Sequence, residues 1–186
     1  MSVALPLRVA GTLTCSSCSV CQRGYDAVCV VWVKAALRIF VDLSQCELTK
    51  FPDGLFMLMQ NKTVQDLNLS GNKLKNLSPK IMQHWNEIKE LDVSDNDMSS
   101  LPDQLQNLTR LKTLCIKANH FTHIPLVVFS LGNLESLVAS HNQIDAVAAE
   151  ELKSMNSLKF VDLRENPLSD NLKSQLLERE DWRLLI

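Results

Sequence analysis

The sequence predicts an α/β fold, a right-handed solenoid in the shape of a horseshoe that is built from six repeats. A parallel sheet is expected on its concave side and short helical or 3-10 turns on its convex side. Three observations predict this class. First, an L-x-L-x-x-N-x-L order recurs along the 186-residue chain. Second, the copies of this motif lie 23 to 26 residues apart. Third, the composition of 46% hydrophobic and 22% charged residues is typical of one globular domain.

One marker residue, usually Asn, follows the alternating apolar residues of every copy. The markers are Cys46, Asn72, Asn96, Asn119, Asn142 and Asn166, and subtraction gives intervals of 26, 24, 23, 23 and 24 residues. The third and fourth copies, residues 88–102 and 111–125, match position by position. Only the first copy departs markedly from the pattern, so six stacked units are expected.

Each copy predicts one short strand, because apolar Leu91 and Val93 alternate with outward-facing residues such as Asp92. The strands must form a parallel sheet, since no copy can bury its leucines without a neighbour. The returning segments 103–109 and 126–131 carry apolar residues at roughly helical spacing. They predict the short turns on the convex side.

The marker asparagines are expected to form a ladder where the chain turns out of each strand. An Asn amide both donates to and accepts from backbone groups that would otherwise be buried without partners. The predicted ladder consists of Asn72, Asn96, Asn119, Asn142 and Asn166. Cys46 takes the same place in the first copy, where we expect its small thiol to pack in the core.

The repeat resembles that of the leucine-rich repeat superfamily, over residues 37–168. The K-F-P-D-G sequence at residues 50–54, with the chain length and six copies, is further similar to a small intracellular member that consists of repeats alone. The resemblance implies a solenoid whose inner sheet binds other proteins.

Both ends of such a stack need a cap. Residues 169–186 predict a C-terminal helical cap: Ser169 or Asp170 starts a helix over about residues 171–180, residues 182–186 close the end, and Leu172, Leu176 and Leu177 face inward. Residues 1–36 lack the repeat and predict an irregular leader or a partial cap.

Four cysteines of this leader follow the spacing C-x2-C-x2-C-x7-C. They are Cys15, Cys18, Cys21 and Cys29. Such a run of cysteines can bind a metal ion or an iron–sulfur cluster, or it can form disulfides. The segment has no His and no paired zinc knuckle that would support metal chelation, so we expect neither a metal nor a cofactor. His120 and His123 also lack a third ligand. No catalytic Ser/His/Asp set is indicated, and we expect no enzymatic activity.

Composition restricts the partner and the compartment. A net charge of −2 lacks the footprint of a nucleic-acid or anionic-membrane binder, and no run of 18 apolar residues predicts a membrane span. Residues 1–10 lack the basic region of a signal peptide, which favours the cytoplasm. We expect a monomer that binds a protein partner. Four N-x-S/T sequons keep a secreted alternative open: Asn61, Asn68, Asn76 and Asn107.

The residues that flank the central apolar residue of each strand define a predicted concave partner-binding face. They are Phe40, Asp42, Asp66, Asn68, Glu90, Asp92, Thr113, Cys115, Ser136, Val138, Phe160 and Asp162. Acidic residues dominate the first three copies and basic residues enter in the last three. Phe160 and Val138 are the expected apolar anchors.

This face predicts a non-enzymatic protein–protein interaction module or adaptor, a scaffold in signalling. Two other functions stay open: a regulatory or targeting subunit of an enzyme such as a protein phosphatase, and a secreted or surface recognition protein. A structural alternative is that the acidic residues only keep an exposed sheet in solution.

Overall fold

A computed structural model describes residues 30–34, 38–59 and 62–186 of the chain, and it contains the predicted strand in every repeat. The strands are β1 (Val30–Lys34), β2 (Arg38–Asp42), β3 (Val64–Asn68), β4 (Glu90–Asp92), β5 (Thr113–Cys115), β6 (Ser136–Val138), β7 (Phe160–Asp162) and β8 (Arg183–Leu185). They form one sheet in sequential order, with β2 to β8 parallel and β1 antiparallel to β2. The predicted parallel-sheet solenoid is confirmed. The leader cysteines lie outside the described residues.

From β2 onward, a short helix returns the chain between successive strands. In the described ranges the α-helices are α1 (Gly54–Leu58), α2 (Lys80–His84), α3 (Ala149–Ser154) and α4 (Asp170–Leu177), and 3-10 helices span Asp103–Asn107 and Leu126–Ser130. Pro102 and Pro125 directly precede the 3-10 helices with φ angles of −72° and −58°, the range to which the proline ring restricts φ. Their carbonyls accept the first hydrogen bonds of the turns, from the N–H groups of Leu105 and Val128 at 2.9 Å. The predicted short convex turns are therefore confirmed.

The core runs without a break through all repeats, since the central residue of each strand points away from the concave side. Leu67, Leu91, Leu114, Leu137 and Val161 are each at most 1% exposed. Each such side chain contributes about 1.5–3 kcal/mol of transfer free energy when it leaves water.

An aromatic cluster fills the space between α1 and α2. The ring centroids of Phe51 and Phe56 lie 5.0 Å apart, and Trp85 meets Phe56 edge-on at 5.1 Å. In the first repeat the half-buried Cys46 packs against the core in the place of a marker asparagine.

The marker asparagines bond adjacent repeats to each other. The Nδ2 group of Asn119 donates to the carbonyl of Val93 one repeat earlier at 3.0 Å, and to Ile116 at 3.2 Å within its own turn. Its Oδ1 accepts from the N–H of Met98 at 3.0 Å. Asn72, Asn96, Asn142 and Asn166 make the corresponding contacts. Each amide thus satisfies backbone groups that have no ladder partner.

The residue before each marker has a left-handed backbone. The φ angles lie between 50° and 66° at Gln45, Gly71, Asp95, Ala118, His141 and Glu165. This conformation suits glycine, but only Gly71 provides one. The sharp turn out of the strand therefore imposes the same backbone on five side chains that disfavour it.

The C-terminal end combines α4 with an eighth strand. Ser169 caps α4, since its hydroxyl accepts from the N–H of Leu172 at 3.3 Å. Leu172 and Leu176 are buried four residues apart, but the inward prediction for Leu177 is wrong: its side chain is 61% exposed because it lies about 100° further round the helix. Sheet pairing by β8 closes this end instead.

Arg179 joins this end to the preceding turn. Its guanidinium donates to the carbonyls of Lys153 and Met155 at 3.0 Å and of Leu158 at 3.3 Å, and it lies 5.0 Å from the ring centroid of the buried Trp182. One side chain therefore satisfies three carbonyls at the end of the stack.

Candidate partner-binding face

Two rows of outward side chains cross the sheet, because both neighbours of each buried central residue point to the same side. The first concave row, in register, is Phe40, Asp66, Glu90, Thr113, Ser136, Phe160 and Arg183. The second concave row is Asp42, Asn68, Asp92, Cys115, Val138, Asp162 and Leu185. Every residue predicted for the face lies in one of these rows. Arg183 and Leu185 were not predicted, and they come from β8.

The first concave row is acidic where it crosses β3 and β4. Asp66 and Glu90 are register neighbours, which places two carboxylates on strands about 4.8 Å apart. They line a shallow pocket of about 210 Å³, together with Phe40, Thr113 and Cys115. The Oδ1 atom of Asp66 is buried and has no hydrogen-bond partner among the described residues. This pocket therefore holds a carboxylate oxygen of Asp66 that accepts no hydrogen bond from a described residue, next to the negative charge of Glu90.

The second concave row has a local structural role in its first three repeats. The Oδ1 atoms of Asp42, Asn68 and Asp92 each accept from the N–H of the serine two residues later, at 2.9–3.0 Å. This is an Asx turn, which ends the strand. Sequence reasoning missed it, although an Asp/Asn-x-Ser order is visible in three copies. These side chains are thus partly committed to the backbone.

Asp162 is not an open charge, although the pattern predicts it on the face. Its carboxylate is 4% exposed and accepts from Nε of Arg164 at 3.0 Å and from the terminal nitrogen Nη2 at 2.8 Å. The hydrogen bonds from Arg164 lower the pKa of Asp162. A bidentate pair of this kind uses both carboxylate oxygens. The C-terminal half of the face therefore offers less free charge than the sequence indicates.

Phe160 is partly covered. The guanidinium of Arg183, its register neighbour on β8, lies 5.9 Å from the ring centroid. A cation at this distance is attracted to the aromatic face. Val138 is half-buried in the second concave row. The two expected apolar anchors are thus present on the face, but a partner that contacts the Phe160 ring meets Arg183 as well.

Cys115 has a thiol that stays protonated. Burial raises its pKa to about 11, and the charge of Asp92 acts in the same direction. The thiolate is the nucleophilic form of cysteine, so this side chain is a poor nucleophile at neutral pH.

The described ranges contain no group of three His, Cys, Asp or Glu residues that could hold a metal ion. His120 lies 3.8 Å from Asp97, and His123 contacts Thr122 at 3.1 Å. No helix within these ranges has the length and apolar character needed to cross a bilayer.

Comparison with known sequences identifies the repeat. The family profile described as Leucine rich repeat matches residues 41–98, 62–121 and 109–168. Mouse leucine-rich repeat-containing protein 20 is 31% identical over 135 residues, which is 72% of this chain and 73% of that protein. The resemblance predicted from residues 50–54 and the six copies is confirmed by this relative. Adenylate cyclase of Schizosaccharomyces pombe is 31% identical over 117 residues, 62% of this chain, and the chain spans only 7% of that enzyme's length.

Solved structures share the same architecture. A leucine-rich repeat protein of Leptospira interrogans matches with a TM-score of 0.66 and 29% identity, over 78% of this chain and 36% of that one. The Toll–Spatzle complex of Drosophila matches with a TM-score of 0.58 and 30% identity, over 67% of this chain and 17% of that one. Leucine-rich repeats are generally protein-interaction modules without enzymatic activity of their own. Since the profile covers residues 41–168 and the repeat geometry agrees with it, the chain belongs to the leucine-rich repeat family.

Proposed function

We propose that the chain binds a protein partner through the N-terminal half of its concave face and acts as an adaptor or scaffold in the cytoplasm. The observation that carries this proposal is the pair of carboxylates at Asp66 and Glu90. Asp66 Oδ1 is buried without a hydrogen-bond partner among the described residues, and Glu90 is exposed beside it.

A basic side chain of a partner would pair with the exposed Glu90 and with the other carboxylate oxygen, Oδ2, of the half-buried Asp66. Charge-assisted hydrogen bonds from Lys or Arg to such carboxylates are stronger than those between neutral groups. Phe40 borders the same pocket and supplies an apolar wall for the aliphatic part of such a side chain. The pocket therefore favours a partner that inserts one basic side chain between β2 and β4.

The family supports a binding role of this kind. The Drosophila neighbour is described as a complex and as a molecular hub in development and innate immunity, which is a property of that protein. Applied to this chain, the likeness supports an interaction module in signalling.

Asn68 supports the cytoplasmic assignment over the secreted alternative. Its side chain is half-buried on β3, and its Oδ1 accepts from the N–H of Ser70 at 2.9 Å. A glycan on Asn68 would break this turn and cover the concave face. A shift in electrophoretic mobility after deglycosylation of the native protein would contradict the cytoplasmic assignment.

Affinity capture from cell extract tests the concave face. The intact chain is compared with Asp66→Lys/Glu90→Lys and with a matched control, Glu151→Lys/Glu180→Lys, which makes the same charge change at exposed residues outside the concave rows. Asp92 is kept, because its carboxylate forms the Asx turn.

We expect a protein that the intact chain and the control retain, and that the concave variant loses by about tenfold or more. Equal capture by all three proteins would show that the acidic residues only solvate the sheet. An assay of the captured material for phosphatase activity separates an adaptor from a regulatory subunit.

A further inference from the structure

A second surface lies along the rim of the solenoid, where the strands begin. The N–H groups of Lys112, Glu135 and Lys159 each donate, at 2.8 Å, to the carbonyl of the equivalent residue one repeat earlier. These side chains therefore form a row of their own, which borders a cleft of about 350 Å³. The basic rim is defined here as the four cations that line this cleft: Lys89, Arg110, Lys112 and Lys159.

The basic rim already binds one carboxylate of the chain itself. Glu135 accepts from the ammonium group of Lys112 at 2.6 Å and from that of Lys159 at 2.8 Å. These hydrogen bonds, with Lys112 the larger contributor, lower the pKa of Glu135 to about 2. The two lysines, one in the repeat before that of Glu135 and one in the repeat after it, are thus spaced to hold a carboxylate between them.

Two carboxylates, Glu135 and Glu87, offset only half of the positive charge of the four cations. Glu87 pairs with Arg110, whereas Lys89 has no carboxylate within 4.0 Å in the described part of the chain. The hydroxyl of Ser157, which lines the same cleft, is buried and has no hydrogen-bond partner there. The cleft therefore combines excess positive charge with an unused polar group.

We propose that the basic rim binds an extended acidic segment of a partner protein. From Lys89 to Lys159 the rim crosses three strand spacings of about 4.8 Å, roughly 14 Å in all. An extended chain covers this distance with about four residues, and its alternate side chains face the same way. Acidic residues four positions apart, about 14 Å, then reach Lys89 at one end and Lys159 at the other, and an acidic residue at the alternate position between them faces the same side. This surface is separate from the concave rows and does not depend on their function.

Glu135 favours a short acidic peptide over a nucleic-acid strand. A nucleic acid presents a phosphate at every nucleotide, and the carboxylate in the middle of the basic rim repels a continuous run of phosphates. A peptide with alternating acidic residues places its charges on both sides of Glu135 instead. The net charge of −2 for the whole chain also lacks the excess of basic residues typical of nucleic-acid binders.

Fluorescence anisotropy with the full chain at low ionic strength tests the proposal. The probes are a labelled peptide of alternating Glu and Ser, the same peptide with Gln for Glu, and oligouridine. We expect Lys89→Gln/Lys112→Gln to weaken binding of the acidic peptide about tenfold. Glu135→Gln should strengthen it about threefold, because a repulsive charge is removed while both lysines remain. The control Lys50→Gln/Lys75→Gln changes two exposed lysines elsewhere and should bind like the intact chain.

We expect the affinity for the acidic peptide to fall in the lysine variant and to rise in Glu135→Gln. Damage to the fold would lower the affinity in both variants, so the two causes are distinguished. Equal binding of the acidic and Gln peptides overturns the proposal, and so does a control variant that loses as much as the lysine variant. No gain in Glu135→Gln also overturns it. Tighter binding of oligouridine than of the acidic peptide would replace the peptide with a nucleic acid as the ligand.

Discussion

The row of marker asparagines and the first concave row each cross the sheet once per repeat, but they use their side chains in opposite ways. At Asn119, the amide oxygen and nitrogen both bond to backbone groups, some of them in the preceding repeat. In the first concave row, the side chains differ from strand to strand, and Asp66 keeps a buried oxygen without a partner in the described structure. The residues that recur from copy to copy therefore hold the solenoid together, whereas the residues that vary between copies include polar atoms without a hydrogen-bond partner.

The contrast is tested most strongly by Asn119→Ala. The substitution leaves the Met98 N–H buried without its partner and removes one of the two hydrogen bonds that the Val93 carbonyl accepts, the other coming from Nδ2 of Asn96. We therefore expect a loss of about 2–4 kcal/mol in the free energy of unfolding. Thr113→Ala in the first concave row is the matched change, with an expected loss below about 0.5 kcal/mol. Urea unfolding measures both, and similar losses would contradict the contrast.

A smaller effect is expected from the left-handed residue beside the marker row. Gly71→Ala places a Cβ 3.0 Å from Cγ of Gln45 at a φ of 66°, and should destabilise the fold by about 1–2 kcal/mol. Ala118→Gly at the equivalent position, where φ is 50°, should stabilise it by about 1 kcal/mol. Thermal melting of the pair gives opposite shifts. A stabilised Gly71→Ala variant would show that this turn is not strained.

The reactivity of Cys115 tests whether a residue of the second concave row is shielded from solvent in the way that a core residue is. Its pKa is raised from 9.0 to about 11, so the stability that depends on the protonated thiol is complete below pH 9 and is lost as the pH rises through 11. At pH 8 the thiolate fraction is about a hundredfold below that of an ordinary thiol, and alkylation by iodoacetamide should be slowed accordingly. Mass spectrometry of the alkylated peptide measures the rate. An ordinary rate in the folded protein would mean that Cys115 is open to solvent.

The smallest effect concerns acid stability at Glu135. Its pKa is lowered from 4.5 to about 2 by Lys112 and Lys159, so its contribution is present above pH 4.5 and is lost as the pH falls through 2. The pair is exposed, and salt should reduce the effect. Stability measured between pH 4.5 and 2 should depend less on pH in Glu135→Gln than in the intact chain. The same pH dependence in both proteins at low salt would exclude this ion pair as a cause.

The parts of the fold that could be predicted are those that every repeat must share. Leu91 and Leu114 occupy the same backbone position in successive copies, so one pattern predicts strand, sheet and buried face together. Register pairing of the concave residues follows from the same period. The 3-10 turns after Pro102 and Pro125 were predictable for the same reason.

The remainder depends on contacts between long side chains, which a repeat pattern does not encode. Arg164 pairs with Asp162, and Arg183 covers part of Phe160, so two predicted contact residues are less open than their positions indicate. Strand β8 carries an available clue, since Arg183 follows Phe160 by the same 23-residue interval that separates earlier copies. The cap prediction treated residues 182–186 only as an apolar end and missed that residues 183–185 pair with β7 as a strand.

Arg179 has a consequence for the order in which the solenoid opens. A terminal repeat has only one neighbour, so structure in a stack is lost from its ends inward. Here Arg179, just after α4, is bonded to carbonyls of Lys153, Met155 and Leu158 in the returning segment before it, so opening of α4 also breaks contacts of that segment. We therefore expect these two units to open as one cooperative segment. Their amide hydrogens should exchange with solvent together, at a rate set by a single opening event.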